Sequence, residues 1–188
     1  FHGLIVSHWG LEAVESVAWS TGPDTVRVRT GGGEAEFRQP DGPGGAIAYR
    51  LVAGNDPLGW VGAVPDRLLA GKPASPRDWL RTTHATAYPD LPAQILAYFR
   101  ARRAGDIAVF AADGWDFGEA LRAGHGGLGP RDMLVPLLIA GPGVPRGETG
   151  GAVRAVDVMP TLLHLLGQPV PSGLDGEVLR RVVRRRAR

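Results

Sequence analysis

The 188 residues include no cysteine, which excludes disulfides, thiolate metal sites and cysteine nucleophiles, and a chain of this length buries a core without such staples. Apolar residues make up 44% and charged residues 21%, an ordinary globular composition; no apolar run approaches the roughly 18–20 residues of a membrane-spanning helix. The net charge of +2 hides an uneven distribution: six arginines fall within residues 180–188, leaving 15 basic against 19 acidic residues elsewhere, a balance of −4.

Residues 4–9, Leu-Ile-Val-Ser-His-Trp, read as the end of a helix stopped by Gly10. The start of that helix would precede Phe1, which suggests upstream sequence. No basic stretch followed by an apolar run marks a signal peptide. His2 and His8 stand six apart, off a common helical face, and do not form a ligand pair. From Val14 the period changes to two. Glu15–Trp19, Thr25–Arg29, Glu34–Arg38 and Ala46–Arg50 read as four short strands; the alternation of Val26 and Val28 with Arg27 and Arg29 is that of a strand with one wet face. Glycines at 31–33 and within 41–45 supply the turns, so residues 14–52 are expected to form an antiparallel meander. No helix start follows these glycines, as a phosphate-cradling loop would require.

Residues 53–76 are rich in Gly and Pro and read as an irregular connection with one short helix around 65–70. Ser75 caps the next helix, with Pro76 at its first position. Asp90 caps another, with Pro92 in its first turn, an apolar face of Ile95, Leu96 and Phe99, and arginines at its end. Two apolar runs follow, Asp106–Ala112 and Met133–Ala140. Apolar on both faces, they are expected to be strands of a buried parallel sheet, with Pro136 at the start of the second. The last helix is expected to start at Asp157 as cap, to carry Pro160 in its first turn, to pack through Met159, Leu162, Leu163 and Leu166, and to stop at Gly167. The whole chain, 1–188, reads as one α/β domain: a β-meander at 14–52, an α/β part at 76–178 and a basic tail at 179–188. The tail reads as a frayed, solvated helix end, and its lack of interleaved aromatics argues against nucleic acid as a partner.

Chemistry concentrates between the two apolar runs. Ligands of open α/β sheets bind at the carboxyl ends of strands, where Asp113 stands. His125 lies between Gly124 and Gly126, so little bulk blocks approach to its imidazole; Asp116 and Asp132 are further carboxylates nearby. Asp and His together suit zinc, manganese or magnesium.

The order of Asp113, Gly124-His-Gly-Gly127, Val135-Pro-Leu-Leu-Ile-Ala-Gly-Pro-Gly143, Val156-Asp-Val-Met-Pro-Thr-Leu-Leu, Gly167-Gln-Pro-Val-Pro171 and Leu174-Asp-Gly176 resembles the C-terminal part of the alkaline-phosphatase-like superfamily. It is most similar to the type I phosphodiesterase/nucleotide pyrophosphatase branch, with sulfatases as relatives, over about residues 104–178. The resemblance implies a partial alkaline-phosphatase-like α/β sandwich with a mostly parallel sheet. It also implies a mechanism in which two metal ions, zinc first among them, activate a Ser or Thr nucleophile and stabilise the transferred phosphoryl oxygens of a small phosphate ester.

Carried over residue by residue, His125 matches the late metal-binding histidine, and Asp113 stands where an Asp-His-Gly ligand pair is expected. The sequence has Gly114 in place of that pair's histidine. The early nucleophile motif and an Asp-x-x-Gly-His motif are absent; Thr82, Thr83 and His84 match neither. Val135-Pro136 and Asp157–Leu165 match parts that shape the sheet and pack a helix. The resemblance thus implies a portion of a metal-dependent phosphoric-ester hydrolase without its nucleophile and most ligands. The alternative is a catalytically degenerate member serving as a binding or structural domain.

Overall fold

The strand signals from Val14 onward are realised as a meander. In the computed structural model, β1 (Val14–Gly22), β2 (Thr25–Thr30), β3 (Gly33–Arg38) and β4 (Ala48–Gly54) pair antiparallel in succession. Strand alternation puts Val26, Val28, Ala35, Phe37 and Ala18 on the buried face and the charged residues of β2 and β3 on the other. The turn between β2 and β3 needs glycine: Gly33 has φ 138°, and a Cβ there would lie 2.1 Å from the Ala53 carbonyl oxygen.

The structure describes residues 12–117, 126–147 and 150–182. The expected helix end at 4–9 lies outside them. The chain divides into two compact units, Phe1–Leu134 and Val135–Arg188.

In the first unit, α1 (Asp66–Leu69), α2 (Pro76–Thr83) and α3 (Leu91–Arg100) follow the meander. Ser75 caps α2 as its sequence indicates, accepting from the Asp78 N–H at 3.0 Å. Asp90 precedes α3 at φ 55° with no side-chain cap bond; its carboxylate takes the Gln94 amide at 2.8 Å instead. Small side chains in the row Ala35, Val28, Ala18 and Ala108 leave room for α3, which packs across β1, β2 and β3 through Ile95 and Leu96. Beside them Phe37, Tyr49, Trp60 and Trp79 form a chain of tilted rings with centroids 5.7–5.9 Å apart. The two indole N–H groups are satisfied, Trp79 by the Ile47 carbonyl at 2.9 Å and Trp60 by the Thr86 hydroxyl at 3.2 Å.

The expectation of a mostly parallel α/β sandwich is overturned. β5 (Ile107–Ala111), the first apolar run, joins the other side of β1, and it does so antiparallel, giving one five-stranded antiparallel sheet of order β4-β3-β2-β1-β5. The run is not buried on both faces: Ala108 turns into the core, and Val109 is 48% exposed at the sheet edge. Composition alone does not distinguish a strand covered twice from an edge strand covered once, and strand direction follows from which neighbour the run meets. The second run, Met133–Ala140, forms no strand. Its first residue ends a single helical turn, α4 (Pro130–Met133), and Val135 and Leu138 are exposed.

The second unit holds α5 (Val158–Leu165), entered through a 3-10 turn at Ala155–Asp157. Gly167, at φ 72°, stops the helix as expected, its N–H reaching the His164 carbonyl at 3.1 Å. Two other expectations for this helix need correction. Asp157 stands at the N-cap position, but its carboxylate bonds back to the Arg154 N–H of the 3-10 turn and makes no capping bond into α5; Met159, Leu162 and Leu166 are exposed, and Pro160 and Thr161 are the buried positions.

Candidate functional site

Asp113 is positioned by the end of β5. The Ala112 N–H binds the Ala13 carbonyl at 2.8 Å, which prolongs the pairing with β1 by one bond, and the chain turns away at Gly114, φ 85°. The Asp113 side chain is 83% exposed. Nη1 of Arg131, on α4, donates to both its carboxylate oxygens, at 3.1 and 3.2 Å. His125 lies outside the described residues.

Behind this pair stand two residues that the sequence does not single out. The β1–β5 register slips between Val14 and Ser16. The irregularity falls on Glu15, whose carboxyl hydrogen-bonds the buried Tyr88 phenol. Burial raises the Glu15 carboxyl above its ordinary value against the Tyr88 bond, and the charges of Asp113 and Asp132 add to the rise. Burial, then Glu15, pushes the Tyr88 phenol well above its usual range. A bulge that re-aims one strand residue leaves no trace in hydropathy, so only a paired partner strand reveals it. Asp132 sits against Gly127, where a Cβ would meet its Oδ2 at 2.2 Å.

The structure therefore gathers Glu15, Tyr88, Asp113, Arg131 and Asp132 around the end of β5. Among the described residues no group of three or more His, Asp or Glu side chains is arranged to hold a metal ion. The Asp113 oxygens face a guanidinium and Glu15 is engaged with Tyr88, so these residues by themselves do not fit a divalent cation. Thr83, of the Thr82-Thr83-His84 triplet, has a structural role: its buried hydroxyl donates to the Trp79 carbonyl at 2.7 Å and accepts from the Asp90 N–H at 3.0 Å.

In the second unit the stretches Asp157–Leu165 and Leu174-Asp-Gly176 form an anchor. The buried Asp157 carboxylate accepts from the backbone N–H groups of Arg154 at 2.8 Å and Glu177 at 2.9 Å. Thr161 donates to the Asp157 carbonyl at 2.6 Å and accepts from the Leu179 N–H at 3.0 Å. Gly176 passes so close to this turn that a Cβ would lie 2.0 Å from the Val156 carbonyl oxygen. These residues hold the chain after α5 against the helix start. In the basic tail the exposed Arg181 donates to the carbonyls of Gly150 and Ala152 at 2.9 and 3.2 Å.

Comparison with known proteins places these features in context. The chain is similar to alkaline phosphatase PhoV of Synechococcus elongatus, 34% identical over 86 residues, which are 46% of this chain and 16% of that protein. It is 42% identical over 53 residues to a putative extracellular sulfatase Sulf-1 homolog of Caenorhabditis elegans, covering 28% of this chain and 8% of that protein. Alkaline phosphatase PafA of Elizabethkingia meningoseptica is 27% identical over 96 residues, covering 50% of this chain and 18% of that protein. The chain thus spans less than a fifth of the length of each of these relatives. No family model matches, and no solved structure matches.

Proposed function

We propose that this chain is a portion of a metal-dependent ester hydrolase of the alkaline-phosphatase-like superfamily, acting on phosphoric or sulfuric esters. The observation that carries this reading is the similarity to two alkaline phosphatases and a sulfatase over up to half of the chain. It is supported by the second unit, where the family-like residues Asp157, Thr161 and Gly176 lock one another in place. His125 and Asp113 are the residues assigned to a divalent cation, zinc before manganese or magnesium, with the nucleophile and the remaining ligands supplied from outside this sequence. For a cation to take Asp113, Arg131 must first leave it.

The test is an assay of the purified 188-residue chain on aryl phosphate monoesters, diesters and sulfate esters with added zinc, manganese or magnesium. No metal-dependent turnover is expected. Robust turnover abolished by His125→Ala would overturn the reading of the chain as a portion. In a longer polypeptide that carries an upstream Asp and a Ser or Thr nucleophile, faster turnover of diesters than of monoesters would support the finer assignment to the phosphodiesterase/nucleotide pyrophosphatase branch.

One observation favours a second reading, a degenerate member used for binding. Gly114 stands where the family pattern has a ligand histidine, and it occupies a positive-φ turn at φ 85°. A gene whose upstream sequence lacks the Asp and Ser/Thr pair would favour this reading over the first.

A further inference from the structure

The outer face of β2, β3 and β4 carries four arginines, Arg27, Arg29, Arg38 and Arg50, against two glutamates, Glu34 and Glu36. Register places Glu36 between Arg27 and Arg50, which reach it at 2.9 and 2.8 Å; Arg27 also takes Glu34 at 3.0 Å. Burial pushes the Glu36 carboxyl up, but hydrogen bonds from Arg50 and Arg27 outweigh it and hold the group below its ordinary value. Both glutamates are thereby committed to arginines. Arg38 lies two residues along β3 from Glu36 and faces Ala48, whose methyl group leaves space. The Arg38 guanidinium makes no hydrogen bond or ion pair among the described residues. An open cavity of about 400 Å³ lies at this point, its lining including Glu36, Arg38, Ala48, Arg50, Leu51 and Leu69. That volume is in the range of small-molecule sites, and a guanidinium fork suits carboxylate and phosphate oxygens.

We propose that this cavity binds a small organic anion, one oxyanion group on a compact apolar body, with Arg38 as its principal contact and Arg50 as the second. The two glutamates on the same face oppose a polyanion such as nucleic acid, while the apolar part of the open lining, with Ala48, Leu51 and Leu69, favours a ligand with a hydrocarbon or aromatic part. The site is separate from the Asp113 region, which follows β5 at the opposite edge of the sheet, and it does not depend on the hydrolase reading.

The test is an NMR titration of the arginine Nε–Hε signals in the isotope-labelled 188-residue chain with benzoate, phenyl phosphate and inorganic phosphate. Saturable shifts at Arg38 and Arg50 are expected with at least one of the two organic anions, and the one that binds more tightly identifies the head group. Inorganic phosphate, which cannot use the apolar wall, is expected to bind about tenfold more weakly or less. Arg38→Ala is expected to weaken binding by about tenfold or more through loss of a charge-assisted contact. Ala48→Leu, which fills the cavity and keeps both arginines, should weaken it comparably. Unchanged amide signals of Phe37 and Tyr49 in each variant establish that the sheet is intact. Absence of a saturable shift with both organic anions at about 20 mM, inorganic phosphate binding as tightly as they do, or indifference to both substitutions would overturn the proposal.

Discussion

The carboxylate of Asp157 accepts a hydrogen bond from the Glu177 backbone N–H at 2.9 Å, closing twenty residues of chain onto the start of α5. Its other oxygen takes the Arg154 N–H, so one buried side chain satisfies two backbone donors. In Asp157→Asn an amide N–H must face one of these donors. The variant is expected to lose about 1–3 kcal/mol in the second unit. Amide hydrogen exchange at Glu177 and Leu179 checks this, and unchanged protection at both would refute the anchor.

Gly176→Ala attacks the same turn from the other side. Its Cβ would lie 2.0 Å from the Val156 carbonyl oxygen and 2.9 Å from the Asp157 nitrogen, both backbone atoms that cannot swing aside. A loss of about 2 kcal/mol or more is expected, read again as faster exchange at Leu179 while the amides of β2 keep their protection.

Trp79→Phe removes one of two donors to the Ile47 carbonyl, which keeps the Ala74 N–H at 3.0 Å, and leaves a gap in a buried ring cluster. The lost indole hydrogen bond and the lost packing together are expected to cost about 2–3 kcal/mol. Urea unfolding followed by the fluorescence of the remaining tryptophans measures it; a loss below about 1 kcal/mol would show that the cluster relaxes into the gap.

Two glutamates of the sheet predict opposite pH behaviour. Glu36 is held below its ordinary value of 4.5, so its contribution is present above about that pH and is lost as pH falls through the folded value. Glu36→Gln should therefore cost stability at pH 7, and the gap to the wild type should close on acidification. Glu15 is raised above 4.5, chiefly by burial. Its protonated form is the favoured one: its contribution is present below about 4.5 and is lost as pH rises through the folded value. Glu15→Gln should match the wild type in acid and exceed it at pH 7. Urea midpoints at several pH values from about 2.5 to 7 test both, and a Glu15→Gln advantage that shrinks towards pH 7 would contradict the assignment.

The Asp113–Arg131 pair is almost wholly exposed, and exposed ion pairs contribute little after screening and side-chain ordering. Arg131→Ala is expected to leave stability within about 0.5 kcal/mol of the wild type, as measured by thermal unfolding. A larger loss would mean that Arg131 supports the fold as well as facing Asp113.

Much of the first unit was legible in the residues. The alternation of Val26 and Val28 with Arg27 and Arg29 fixed a one-sided strand, the glycines at 31–33 fixed a turn, and Ser75-Pro76 fixed a helix start, because each depends on neighbours within a few positions. The order of residues from Asp113 to Gly176 pointed to the alkaline-phosphatase-like superfamily, and the relatives found are alkaline phosphatases and a sulfatase, none of them named as a member of the phosphodiesterase/nucleotide pyrophosphatase branch to which it looked most similar. Asp113 was legible as a strand-end carboxylate; its partner Arg131, eighteen residues on, was not.

What the sequence determined by itself was local: period, turns, caps and the likeness of one stretch to a family of ester hydrolases. The tertiary structure alone decided that Ile107–Ala111 runs antiparallel beside β1, that Met133–Ala140 makes no strand, that Glu15 turns to Tyr88, and that Asp157 reaches Glu177. Each of these depends on which distant segment supplies a hydrogen-bond partner or a covering side chain. An apolar run carries the same residues whether it is covered on two faces or one, and an aspartate before a helix has the same carboxylate whether it caps its own first turn or holds a segment twenty residues away.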